Sequence, residues 1–561
     1  MIPPLMPSRL AALLVVVLVM PALAQTPGMR FRNINTEVGL PATGKSVLTK
    51  KFLVELFNGG VAIFDCDNDG KLDVAVINSS TVQRYKAGGD PIVTLYRQQP
   101  NFKFTDATES AGLVARGLGM GISVADYDND GTLDLYVTRY DGNILFRNTG
   151  SCRFQDVTTK AGVAGGGLST GSAWGDYDRD GFVDLFVSRY ARSDITKIKT
   201  NYKGMMVEAP WGMEGETDFL FRNRGNGTFE EVAKKAGVQD TDGRLGLGVV
   251  WGDYDNDGWL DLYVANDTIP NYLYLNKRDG SFEDAGLMTG AAVSGEGKPL
   301  GSMGIDFYDF DNNGWLDIPV GTFAYEPGTL FHNLGEKGFA DIAWTAKIGQ
   351  PTFRLVSWGL GFADFDNSGL ASLLIVNGHI YPEIDNVPGE PPYREPITLF
   401  RNKGDKTFED VANAAGLNDE PPQSRRGVAF GDLDNDGDID LVAFNEDGAP
   451  SFILNETKNS NHRVMFKLLG TTSNRAAIGT RVTIQSGDIR QMQEVKAGQS
   501  YLSCNDFRLH FGIGNVTKLN SVEVRWPTGQ IITLKDLAAD RLYTITEGKG
   551  IISTAELPLQ N

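Results

Sequence analysis

The sequence predicts an all-β chain: a seven-bladed β-propeller followed by a small C-terminal β domain. Three observations predict it. One acidic nine-residue pattern, D-x-D-x-D-G-x-x-D, recurs along most of the 561 residues, six times nearly complete and once eroded. Short β-branched and aromatic runs frame each copy as strand, tight turn, strand. After about Asn455 the pattern stops and alternating strands of another kind follow.

The first copy reads Asp65, Asp67, Asp69, Gly70, Asp73 and the second Asp126, Asp128, Asp130, Gly131, Asp134. The third is Asp176, Asp178, Asp180, Gly181, Asp184; the fourth is Asp253, Asp255, Asp257, Gly258, Asp261. In the fifth, Asn313 replaces one carboxylate between Asp309, Asp311 and Asp317. The sixth keeps Asp364 and Asp366 but has Ser368 and Ser372, and the seventh is intact with Asp432, Asp434, Asp436 and Asp440. First positions lie 61, 50, 77, 56, 55 and 68 residues apart, room for about four strands per unit.

An F-x-[D/N] segment, with Glu231 in the last place at Phe229, precedes each loop, starting at Phe31, Phe104, Phe154, Phe229, Phe282, Phe339 and Phe408. An L-[FY]-x-N-like strand end follows, as in Leu145 to Asn148, Leu220 to Asn223 and Leu399 to Asn402. Radial closure protects the sheet edges that an open array exposes. A linear solenoid would need polar capping units, and neither end supplies one. The propeller is expected over 29–456. A separate small domain is expected over 461–548, where Val482-Thr483-Ile484 and Val522 to Trp526 read as strands.

The loops carry the chemistry. Carboxylates at positions 1, 3 and 5, a Gly at 6 to reverse the chain, a carbonyl at 7 and an Asp at 9 compose an oxygen cage. Hard oxygen donors in a flexible loop suit Ca2+ better than octahedral Mg2+. About six Ca2+ sites are expected, and the sixth loop is expected weak or empty. Asn313 can still offer a carbonyl oxygen.

The formal net charge of −19 belongs largely to these turns, which hold 25 of the 71 Asp and Glu residues. Such acidity speaks against nucleic acid and anionic membranes as partners. Arg9, the apolar run Leu10 to Met20 and Ala22-Leu23-Ala24 read as a signal peptide over 1–24, cleaved after Ala24. No later run is long enough to span a membrane, so a secreted or periplasmic, monomeric protein is expected. Cys66, Cys152 and Cys504 allow one bridge at most, and buried free thiols are the preferred reading. His332, His379, His462 and His510 are scattered, and no nucleophile or metalloprotease motif accompanies them. His379 follows the eroded loop and is read as structural. The insertion Ala191 to Asp218, with Tyr202, Met205, Met206 and Trp211, either shapes one face or packs as a plain loop.

The run Gly252-Asp253-Tyr254-Asp255-Asn256-Asp257-Gly258 through Val264 to Thr268, with Met303 to Asp306 and Asn377 to Pro382, resembles the FG-GAP/VCBS repeats of integrin-α-like propellers. The chain is more closely similar to the cartilage acidic protein (ASPIC/UnbV) family. That resemblance extends through Ser473-Asn474-Arg475, Ala477-Ile478-Gly479, Tyr501-Leu502-Ser503, Asn505-Asp506 and Arg508 to Gly512. Cys504 stands where that family commonly has Gln. The resemblance implies a secreted, calcium-loaded propeller with a small β domain. The function expected is non-catalytic binding, adhesion or scaffolding, with an extracellular or periplasmic protein or glycan as partner. The alternative is a carbohydrate-active lyase or hydrolase on the same scaffold, by analogy of fold alone.

Overall fold

The computed structural model describes residues 28–40, 50–196, 210 and 212–558. The expected signal peptide lies outside them, as do Tyr202, Met205, Met206 and Trp211 of the insertion.

Among the described residues, seven antiparallel sheets follow one another through the repeat region, six of four strands and one of three, with a two-stranded pairing of Asp90–Pro91 and Arg116–Gly117 beside them. Each acidic loop is the hairpin between the two innermost strands of its sheet. In the second sheet, Gly119–Ala125 leads into the loop, Asp134–Arg139 and Ile144–Asn148 follow, and Phe154–Asp156 is outermost. Each F-x-[D/N] segment is therefore the outer strand of the sheet before the loop it precedes. Phe31–Asn33 shows the consequence: it pairs with Ser451–Asn455 and supplies the outer strand of the last sheet. The N-terminal strand thus completes the ring from the far end of the chain. In the fifth sheet the inner strand is reduced to single bridges at Ile305 and Tyr308.

Close packing around the axis rests on a glycine placed five residues before every loop: Gly60, Gly121, Gly171, Gly248, Gly304, Gly359 and Gly427. A Cβ on Gly171, Gly248, Gly304, Gly359 or Gly427 would lie 1.9 to 2.7 Å from a carbonyl oxygen of a neighbouring inner strand. Any side chain there would push the inner strands apart.

The C-terminal residues form two four-stranded sheets. One joins Leu509–Gly514, His462–Leu469, Arg541–Thr546 and Gly550–Glu556; the other joins Ile489–Glu494, Arg481–Ser486, Lys518–Arg525 and Ile531–Ala538. These sheets pack directly on the propeller. Val464, Phe466, Val482, Phe511, Val522 and Trp526 share one continuous apolar core with Tyr136, Trp174 and Leu185 of the propeller.

The two parts also meet on the axis. Innermost strands leave backbone groups unpaired on their free edge, and the segment Ala497 to Asp506 supplies partners for them. Trp174 N donates to Ala497 O (2.7 Å), Ile305 N to Ser500 O (2.9 Å) and Ile122 N to Leu502 O (3.0 Å). Ile63 N donates to Cys504 O (3.1 Å), while Leu360 N and Val61 N donate to the hydroxyls of Ser500 and Ser503. Phe430 N donates to Asn505 Oδ1 at 3.0 Å. Six of the seven sheets are tied to this one plug.

Substitution at the plug should show its weight. A Cβ at Gly60 would sit 2.5 Å from Leu502 O, whereas one at Gly166 meets nothing within 4 Å. Gly60→Ala is expected to lower stability in denaturant melts by about 1–3 kcal/mol through overpacking. Gly166→Ala should stay within about 0.5 kcal/mol of the parent.

Candidate metal centres in the acidic loops

All seven loops share one backbone path. The residue at position 4 is left-handed in every copy, with φ between 56° and 62° at Asn68, Asn129, Arg179, Asn256, Asn312, Asn367 and Asn435. The following Gly at position 6 has φ between 84° and 92°. Asn tolerates the first of these conformations and Gly adopts the second without strain.

Backbone amides then fix two carboxylates per loop. The position-6 amide donates to the position-1 carboxylate in all seven copies, from Gly70 N to Asp65 Oδ2 (3.0 Å) through Gly437 N to Asp432 Oδ2 (3.0 Å). In every copy but the sixth, the position-9 carboxylate accepts the position-2 amide on one oxygen, as Tyr127 N to Asp134 Oδ2 (3.2 Å). Its other oxygen accepts the strand-end amide, as Asn148 N to Asp134 Oδ1 (2.7 Å). In the sixth loop the Ser372 hydroxyl takes that second bond from Asn402 N.

Two ladders of side-chain amides link the loops into a circle. Asn68 Nδ2 donates to Gly131 O, Asn129 to Gly181 O, Asn256 to Gly314 O and Asn312 to Gly369 O, at 2.9 to 3.0 Å. Arg179 plays the same part toward Gly258 O, and Asn367 reaches Asp438 Oδ1 instead of the glycine carbonyl. Asn435 Nδ2 donates to Gly70 O, joining the seventh loop to the first. In the second ladder, Asn148 Nδ2 bridges Leu133 O of its own loop and Cys66 O of the loop before. Asn223, Asn276, Asn333 and Asn402 repeat this bridge, and Gln98 makes it across the closure between Leu72 O and Leu433 O.

Positions 1, 3 and 9 converge. Asp65, Asp67 and Asp73 each place one carboxylate oxygen within 4.8 Å of the others, as do Asp126, Asp128, Asp134 and Asp176, Asp178, Asp184. In the fifth loop the group is Asp311, Asp317 and His332, a donor that the sequence reading missed. Position 5 is partly committed elsewhere: Asp130 Oδ1 accepts the Thr132 amide and Asn313 Oδ1 accepts the Trp315 amide.

Two features fit a cation. Asp128 Oδ1, Asp178 Oδ1, Asp253 Oδ1, Asp311 Oδ1 and Asp432 Oδ1 are buried with no hydrogen-bond donor. Such orphaned carboxylate oxygens cost free energy unless a cation or water completes them. Strand-end side chains also already reach in: Arg147 contacts Asp128 and Asp130, Arg222 contacts Asp178 and Asp180, and Arg278 contacts Asp257. These clusters could hold metal ions.

The sixth loop has another occupation. Gly514 N donates to Asn367 O (2.8 Å), and the side-chain amides of Asn459 and Asn461 donate to Asp366 O (2.9 and 2.7 Å). It is a docking turn for the C-terminal sheets. The same sheets touch other loops through Arg475 N to Asn129 Oδ1, Arg481 to Asp253 O and Arg508 to Asp432 O.

The cysteine expectation is corrected. Cys66 and Cys152 form a disulfide, with Cα atoms 5.0 Å apart, and Cys504 is the buried free thiol. The second ladder holds position 2 of the first loop near the second sheet, which is what brings the pair together. His379 is 1% exposed; its Nδ1 accepts the Tyr381 amide and its carbonyl accepts Arg426 and Ser424. His462 pairs with Asp540.

With this geometry in hand, comparison with known proteins defines the class. The profile of the FG-GAP-like repeat matches residues 65–137, 127–187, 211–264, 253–320 and 390–443, together more than half of the chain. These spans take in every acidic loop except the sixth. The profile described as ASPIC and UnbV matches residues 470–552, the region that includes the axial plug. The chain belongs to the FG-GAP-repeat family and carries an ASPIC/UnbV module. Cartilage acidic protein 1 of Homo sapiens is 26% identical over 517 residues, 87% of this chain and 72% of that protein. Its Mus musculus counterpart is 25% identical over 516 residues, 87% and 73% of the two chains. Among solved structures, an Agrocybe aegerita lectin specific for non-reducing terminal N-acetylglucosamine overlays with a TM-score of 0.38 at 16% identity, covering 70% of this chain and 86% of that one. At that level of overlay the likeness does not extend to ligand.

Burial pushes Asp73, Asp126, Asp176 and Asp309 up to about 7 and Asp432 to about 8, because desolvation disfavours the charged form. Their folded values exceed the unfolded carboxylate value, so the metal-free fold holds extra protons. That stabilisation is complete below the unfolded value near 4 and is lost as pH rises through about 7 to 8. In chelator, the melting midpoint is expected to fall between pH 5 and pH 8. With divalent metal present the fall should flatten, because the ion takes the proton's place. A midpoint that climbs with pH in chelator would contradict this assignment.

Proposed function

We propose that the protein is an exported scaffold whose propeller is held by Ca2+ in its acidic loops and that binds an extracellular or periplasmic protein or glycan without catalysis. The observation that carries the reading is the set of buried, donorless carboxylate oxygens in five loops, at position 3 of the second, third and fifth and at position 1 of the fourth and seventh. Asp65, Asp67, Asp69 and Asp73 would hold the ion in the first loop, and the matching residues would do so in the others. Ca2+ would neutralise carboxylates that repel one another around a ring.

Export is supported by the signal-like N-terminus and by the Cys66–Cys152 bridge, since disulfides persist in oxidising compartments. Among the described residues, no helix is long and apolar enough to cross a membrane. The similarity to cartilage acidic protein 1 points the same way. A recess of about 1160 Å3 between the first and seventh sheets, lined by Arg84, Asp90, Tyr96, Glu109 and Arg116, offers a mixed-charge surface to a partner. The alternative, a lyase or hydrolase, draws no support from His379 and Tyr381, which are both buried, Tyr381 within an apolar cluster.

Equilibrium dialysis against Ca2+ is expected to give about six ions per chain, and Asp128→Asn should remove one. Each site at a hundredfold excess over its Kd adds about 2.7 kcal/mol of stability, so chelation should lower the melting midpoint clearly at pH 7.5. Identical midpoints with Ca2+ and with chelator would overturn the reading.

A further inference from the structure

The strand-end residue that faces each loop varies, and in the fifth loop the variation changes the donor chemistry. Arg97, Arg147 and Arg222 occupy this place in the first three sheets. His332 occupies it in the fifth, inside Leu330-Phe331-His332-Asn333. The imidazole is buried. Its Nδ1 lies 2.9 Å from Asp317 Oδ1 and its Nε2 lies 3.6 Å from Asp311 Oδ2.

Asp317 fixes the tautomer. The carboxylate accepts the Nδ1 proton, which leaves the Nε2 lone pair directed at Asp311. An imidazole oriented by a carboxylate on one nitrogen and aimed at an acidic cluster with the other is the arrangement that holds a divalent transition metal. Asp311 adds an independent sign of a ligand: its side chain is 8% exposed, and its Oδ1 is buried without a donor. The ammonium of Lys406 fills the gap from the following sheet, 2.9 Å from both His332 Nε2 and Asp311 Oδ2. The Lys406 side chain is 53% exposed, so it can swing out to water when a metal enters.

We propose that the fifth loop is a mixed nitrogen–oxygen site for a borderline divalent metal such as Zn2+, held by His332 Nε2 and Asp311 with Asp317 orienting the imidazole, and distinct in selectivity from the all-oxygen loops. The proposal rests on the reading of the loops as metal sites and departs from it in the ion chosen. Imidazole nitrogen favours Zn2+ and its neighbours over Ca2+, which takes oxygen ligands. Lys406 acts as an internal counter-cation that the metal displaces.

The test is a titration of the full-length mature chain with Zn2+, and with Co2+ as an absorbing probe, in millimolar Ca2+. One Zn2+ per chain should persist in the Ca2+ excess, with a visible Co2+ band showing nitrogen ligation. His332→Gln should abolish both and leave the Ca2+ count of the other loops unchanged. Lys406→Met, at an exposed side chain, should tighten Zn2+ binding by about tenfold or more, because a competing charge is gone. Zn2+ that Ca2+ displaces freely, or an affinity indifferent to Lys406→Met, would overturn the proposal even if His332→Gln failed to fold. The same titration counts Ca2+, so Ca2+ binding without Zn2+ would sink this inference alone. Zn2+ binding without Ca2+ would sink the calcium reading alone.

Discussion

The whole ring depends on carboxylates buried at the hairpin of each innermost strand pair. Positions 1 and 9 are held by backbone amides of the loop and of the strand end, so the loop can close only if these two charges enter the interior. Amide donors offset part of the desolvation, and hydrogen bonds to a charged acceptor are the stronger kind. They leave oxygens over. The oxygens without donors lie at position 3 in the second, third and fifth loops and at position 1 in the fourth and seventh. A cation would complete them, and side chains such as Arg147 on Asp128 and Arg525 on Asp253 already bring positive charge to these carboxylates. The loops are then wired to one another by Asn side chains. Seven local turns become one closed circuit.

The axis obeys a second constraint, subordinate to the first. Inner strands approach closely because a glycine precedes every loop by the same five residues, yet close approach still leaves edge amides without partners. The ASPIC/UnbV module answers both needs. Its segment Ala497 to Asp506 hydrogen-bonds the inner edges from within, and its sheets cover the sixth loop, where Ser368 and Ser372 stand at positions that carry Asp or Asn in the other loops. The repeat and the module therefore form one structural unit with a shared core. Of the residues by which the C-terminal part resembles its family, Tyr501 to Ser503 and Asn505-Asp506 lie on the axis.

Much of this was legible before any coordinates, and the rest was hidden for identifiable reasons. The acidic loops announced themselves because one local geometry needs the same residues at the same spacing each time. The meaning of the F-x-[D/N] segments was not visible, because strand pairing assigns Phe31 to a sheet whose other strands begin near Arg425. Asn148 and its equivalents appeared only as the end of a strand motif, since their acceptors lie in the preceding unit. The Cys66–Cys152 pair was undecidable from three cysteines and became clear once the ladder set position 2 of the first loop beside the second sheet. His332 did leave a trace: it stands at the strand-end place that Arg97, Arg147, Arg222 and Arg401 hold in four other sheets. The glycine ring left one as well, in a constant offset from the first Asp.

Native-state hydrogen exchange at the position-6 amides tests the central claim most directly. Each donates to the position-1 carboxylate, and Gly369 of the sixth loop, where Ser368 and Ser372 stand in place of two ligand-type residues, supplies the internal comparison. In Ca2+ the amides of Gly70, Gly131, Gly181, Gly258, Gly314 and Gly437 should all exchange slowly. In chelator these amides should exchange much faster, while Gly369 keeps its protection under the C-terminal sheets. Protection that is unchanged by chelation, or lost equally at Gly369, would show that the buried carboxylates do not need a cation to hold the ring.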